Sequence, residues 1–222
     1  MSQIISNFSF LNIKNQIVKI WMTIGVSVFI SLGGAGFTVL VATLTNNPIW
    51  KLAKDPAQVV GFSPYIGMLS NWGVVLWMAA AAICLFSAVL LKQQKVSDST
   101  FTFIAVSGGF SLFLGIDDLF LLHDRLFPKL FGIPETSFYF LYLFAFLVYL
   151  ISFIRQIIKY EYLLFGAALL FFLLSRRVFV TLPFFDQFMT TGDMLKYSGI
   201  VFWLAFFYRT ALFEVSALLK HE

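Results

Sequence analysis

The chain has 222 residues, of which 60% are hydrophobic and 12% charged, with 29 phenylalanines and a net charge of +4. Soluble domains carry about 25% charge, so the composition excludes an ordinary water-soluble fold and makes the lipid bilayer the first partner. The basic excess is scattered over short loops, which fits anchoring at membrane flanks and offers no nucleic-acid surface.

Residues 1–18 read as an interfacial segment, because Ile4, Ile5, Phe8, Leu11 and Ile13 are interleaved with Ser, Asn and Gln. Lys14 and Lys19 precede an apolar stretch too long for the core of a signal peptide. Six stretches then approach or exceed the roughly twenty residues that cross a bilayer as a helix: 20–44, 72–91, 101–122, 138–158, 162–183 and 194–219. Backbone groups cannot stay unpaired in hydrocarbon, so these runs are expected to be helices. The expected fold is all-α, an integral membrane bundle of about six transmembrane helices forming one domain over 1–222. Residues 45–71 form a long connection with room for a short surface helix.

Lys14, Lys19, Lys92, Lys95, Arg155, Lys159 and Lys220 fall on the side of the N-terminus, against Lys51, Lys54, Arg125 and Lys129 on the other. Positive residues favour the cytoplasmic side. Both termini are therefore expected in the cytoplasm of a cell-membrane protein, with the 45–71 connection outside. Small residues recur every fourth position at Ser27/Ser31/Ala35, Ala80/Cys84/Ala88 and Ser107/Ser111/Gly115, which marks close helix-packing seams. Cys84, the single cysteine, reads as a small apolar filler and excludes an internal disulfide.

The third stretch carries Asp117-Asp118 and then His123-Asp124-Arg125. An Asp or Arg at a helix centre in lipid costs roughly 2.5–3.5 kcal/mol, so such groups are expected to be paired and functional. On a continuous helix Ser107, Ser111, Asp118 and Arg125 share one stripe, Asp117 and Asp124 share the next, and His123 points away from both. The fifth stretch supplies Arg176 and Arg177, which either snorkel outward to the near membrane edge or offer a bidentate partner to Asp117 or Asp118. The sixth opens with Asp193 and Lys196, beside which Gly199 leaves room for a helix or a bound group. Asp117, Asp118, His123, Asp124, Arg176, Arg177, Asp193 and Lys196 thus make a candidate ligand or ion pocket at the outer end, whereas Arg209 lies deeper in its helix and is expected to snorkel toward the cytoplasm, and Glu214 and Lys220 read as ordinary flanking charges.

The basic residues already balance these acids, which argues against a metal, and His123 has no second histidine nearby to complete a zinc site. No catalytic set and no cofactor motif is legible. Three functions stay open: handling of an ion, proton or small charged solute, enzymatic action on a lipid head group, and a noncatalytic accessory role in a membrane complex or homo-oligomer. The strings Ser63-Pro64-Tyr65-Ile66-Gly67, Ser70-Asn71-Trp72-Gly73 and Asp117 through Asp124, with Asp193, Lys196 and Gly199, resemble an uncharacterised family of bacterial multi-pass membrane proteins. That resemblance covers most of the chain, implies membrane location, and adds Tyr65, Asn71 and Ser175 as candidate pocket members without implying a reaction.

Overall fold

The computed structural model describes residues 10–54, 56–63, 65–94, 96–175 and 189–218, and every regular element among them is helical. The chain divides into two compact units, Met1–Ile66 and Gly67–Glu222.

In the first unit α1 (Phe10–Thr45) runs for 36 residues and contains the first expected span. It stops at Asn46, which takes a left-handed φ of 52° while the Asn47 N–H bonds back to the Ala42 carbonyl at 3.1 Å. Asn tolerates this conformation better than most residues, and the following Pro48 cannot continue a helix. Two short helices follow, α2 (Ile49–Ala53) and α3 (Pro56–Val60), within the connection where one surface helix was expected.

The second unit holds α4 (Met68–Gln93), α5 (Asp98–Phe120), a π-helical turn (Leu122–Leu126), α6 (Phe127–Phe131), α7 (Glu135–Lys159), α8 (Tyr162–Ser175) and α9 (Met189–Leu218). Ser97 caps α5 by accepting the Thr100 N–H, with Asp98 in the first turn against the positive end of the helix dipole. α4 and α5 pack antiparallel over the largest interface, and α9 lies against both α8 and α4.

The small-residue seams explain these approaches. Ala80, Cys84 and Ala88 on α4 and Ser107, Ser111 and Gly115 on α5 are all buried. A methyl group added at Gly115 would stand 3.0 Å from the Trp77 Cβ, and one at Gly108 2.8 Å from Leu85. Gly199 makes room for α8, since a Cβ there would meet the Phe172 ring at 2.7 Å and the Ala168 carbonyl at 3.2 Å. Midway along the bundle Phe103, Trp203, Phe206 and Phe207 are fully buried, and Trp203 lies 5.0 Å from Phe207 and 5.6 Å from Trp77 between ring centroids. This aromatic layer separates an Asp117–Lys196 end from a Lys159–Glu214 end.

Four helical segments are long and apolar enough to cross a membrane: Met68–Gln93, Asp98–Phe120, Thr136–Lys159 and Gly192–Leu218. The first and fifth expected spans correspond to shorter apolar segments, Ser31–Thr45 and Tyr162–Ser175. Fourteen helical residues reach about 21 Å, less than the roughly 30 Å hydrocarbon core. The rest of the fifth stretch lies outside the described residues.

Candidate functional site

α5 does not continue through the histidine. It ends at Phe120, Leu121 adopts a left-handed conformation (φ 51°, ψ 46°), and the chain re-enters a π-helical turn. This break overturns the expected projection of His123 away from the carboxylates. The His123 N–H donates to Asp117 Oδ1 at 3.1 Å, and its ring Nδ1 lies 2.5 Å from Asp117 Oδ2. Arg125, which a straight helix would place on the Asp118 stripe, is exposed.

Asp117 is only 2% exposed, and Tyr142 on α7 donates to its Oδ1 at 3.0 Å. Two side chains and one backbone N–H therefore compensate a carboxylate removed from water, the condition under which a buried charge is tolerated. On its other edge the His123 ring places Nε2 3.1 Å from Asp124 Oδ1. Asp124 is 40% exposed and also takes a long 3.4 Å bond from the Tyr139 hydroxyl. Both ring nitrogens thus face carboxylate oxygens, and only the doubly protonated imidazolium can donate to both. The hydrogen bond to Asp117 accordingly holds the His123 pKa above its ordinary value, against the desolvation that opposes the charge.

Asp118 points to different helices. Lys196 Nζ on α9 lies 2.6 Å from its Oδ1, and the Trp77 indole on α4 donates to Oδ2 at 3.1 Å. Farther along the same stripe Ser111 accepts the Trp203 indole N–H at 2.9 Å, and Ser107 shares a 2.7 Å hydrogen bond with the Tyr149 hydroxyl. Both serines also back-bond to carbonyls one turn earlier, as helix serines commonly do. The adjacent aspartates therefore have separate counter-charges, His123 for Asp117 and Lys196 for Asp118.

Asp117, His123 and Asp124 thus form one hydrogen-bonded group, and Asp118 with Lys196 a second beside it, joined through the Asp117-Asp118 backbone. Asp193 is exposed and makes no ion pair among the described residues. Arg176 and Arg177 lie outside the described residues. Of the further candidates, Tyr65 and Asn71 are exposed, and the Ser175 hydroxyl bonds to the Phe172 carbonyl of its own helix. Among the described residues no three acidic, histidine or cysteine side chains are placed to hold a metal ion. Trp77 and Tyr142 escape the sequence reading, since an aromatic residue in an apolar run signals packing before it signals a donor.

The opposite end also corrects an expectation. Glu214, read as a flanking charge, is 6% exposed and accepts Lys159 Nζ at 2.8 Å and the Tyr160 hydroxyl at 2.6 Å.

The second unit is a helical bundle with four segments long and apolar enough to cross a membrane and two ion-paired polar groups, built on buried Asp117 and on Asp118, at one end. The chain belongs to the family of the domain of unknown function DUF8692, which matches residues 25–210. The strings from Asp117 to Asp124 and around Lys196 lie within the matched region. No curated protein and no solved structure matches the chain.

Proposed function

We propose that the chain is a multi-pass protein of the cell membrane whose outward-facing polar cluster takes up and releases protons, alone or with a small charged solute. In this reading α1 and the stretch beginning with α8 complete about six spans, and both termini lie in the cytoplasm. The lysine and arginine distribution supports that orientation.

The observation that carries the proposal is the His123 ring held between two carboxylates of unequal exposure, Asp117 within the bundle and Asp124 at its rim. Histidine is the side chain whose ordinary titration lies nearest physiological pH. From the neutral ring protonated at Nδ1, a proton accepted at Nε2 from the Asp124 side gives the imidazolium. Release from Nδ1 then passes a proton to Asp117, and the reverse transfers return it, so one ring connects solvent to a buried acid. Tyr142 and Lys196 hold the neighbouring charges in place through this exchange. Ionisable relays of this kind are the common means by which membrane proteins move protons or couple them to solutes.

The test is proton flux into proteoliposomes carrying a pH-sensitive dye. Asp117→Asn and His123→Gln are each expected to reduce flux at least tenfold, about 1.4 kcal/mol in barrier height. Flux unchanged in both variants from pH 5.5 to 8.5 would refute the proposal.

A further inference from the structure

The end of the second unit opposite Asp117 holds a recess of about 640 Å³, bordered by Lys159, Tyr160, Glu161, Arg209, Thr210 and Phe213. Four charged groups meet around it in two balanced pairs. Lys159 bonds to the buried Glu214, and Arg209 donates through Nε and Nη2 to both carboxylate oxygens of Glu161. Lys159, Arg209 and Glu161 each remain about half exposed, at 47, 55 and 46%.

These pairs leave bonding capacity unused. An ammonium has three donors and a guanidinium five, while each carboxylate oxygen accepts more than one bond. Lys159 uses donors on Glu214 and Tyr160, and Arg209 uses two on Glu161. The wall also contains Thr210, a 2% exposed residue whose hydroxyl has no hydrogen-bond partner among the described residues. That oxygen is closed off from solvent, so Thr210 contributes its apolar flank to the wall. Leu212 and Phe213 continue the recess as apolar surface, 49 and 60% exposed.

We propose that this recess binds a zwitterionic phospholipid with a primary amine, an ethanolamine phospholipid. Its phosphate takes the remaining donors of Lys159 and Arg209, its ammonium donates to Glu161, and its acyl chains follow Leu212 and Phe213. The two carboxylates already cancel the two cations, so a net anionic lipid gains no excess attraction. A choline head group carries a similar charge distribution but no N–H to donate.

Native mass spectrometry of the full chain tests this directly. The protein, released from detergent, is offered equal amounts of ethanolamine, choline and glycerol phospholipids with matched acyl chains. Ethanolamine lipid is expected to be retained about tenfold over the other two, the discrimination a charge-assisted hydrogen bond supplies. Glu161→Gln should bring ethanolamine and choline lipids to parity, and Arg209→Gln, which removes phosphate donors, should weaken retention of both. Equal retention of the three lipids by the unaltered protein, preference for the anionic lipid, or an ethanolamine preference that survives Glu161→Gln would each overturn the assignment.

Discussion

At Asp117 a single carboxylate gathers the His123 backbone N–H, the His123 ring and the Tyr142 hydroxyl, so its environment is written largely by one imidazole. The His123 pKa is raised in the folded chain above 6.5. The folded state then binds more protons than the unfolded state as pH rises from about 6.5 to the raised value. The stabilisation is full below that window and lost above it. Thermal unfolding in detergent should therefore show a midpoint that falls through this pH range, and His123→Gln should flatten the fall. The Asp118–Lys196 pair behaves differently, because Lys196 is 44% exposed and water takes over part of its solvation. Asp118→Asn is expected to cost about 1.5–3 kcal/mol, the range for hydrogen bonds to charged groups. Lys196→Met in the same chain should recover part of it. A double-mutant cycle from denaturant unfolding measures the coupling, and strict additivity would mean the two groups do not stabilise one another.

Among the elements, α8 and α9 meet where Gly199 stands, and the Phe172 ring that fills the space is itself stacked on Trp77 at 5.9 Å. Gly199→Ala should cost about 1–3 kcal/mol, since neither that ring nor the Ala168 carbonyl can yield easily. Gly109→Ala, which meets nothing within 4 Å, should be neutral or stabilising by about 0.5–1 kcal/mol. Comparing the two melting temperatures separates packing from helix propensity. The seams on α4 and α5, the third-span stripe as far as Asp118 and Cys84 as filler were legible because small and polar residues repeat at helical spacing, whereas Ser31 and Ala35 of the expected first-span seam are exposed. The break at Leu121 was not. A leucine in a left-handed conformation runs against its own preference, costing roughly 1–2 kcal/mol, and only tertiary contacts select it. The return of His123 to Asp117 therefore has no local signature. Glu214 was misread for a related reason: its partners Lys159 and Tyr160 are distant in sequence, and position near a helix end suggested solvent.

At the scale of the whole molecule, the antiparallel α4–α5 hairpin places Gln94 and Lys129 toward opposite ends of the second unit. In a Cys84→Ser background, Gln94→Cys and Lys129→Cys should react with an impermeant maleimide from opposite membrane faces. Intact cells are expected to label only Lys129→Cys; labelling only Gln94→Cys would invert the proposed orientation.

The aromatic belt formed by Phe103, Trp203, Phe206 and Phe207 has an electrical consequence. Thr100 and Ser107 stand seven positions apart on α5, about 10.5 Å of rise, with Phe103 and Ile104 buried alongside. Dry material polarises weakly, so a transmembrane voltage should drop mostly across this insulating slab. Each elementary charge carried through the full field does work of about 2.3 kcal/mol per 100 mV. Protonation at Asp117 from its own side should then be nearly indifferent to voltage, whereas passage to the Glu214 side should depend on it steeply.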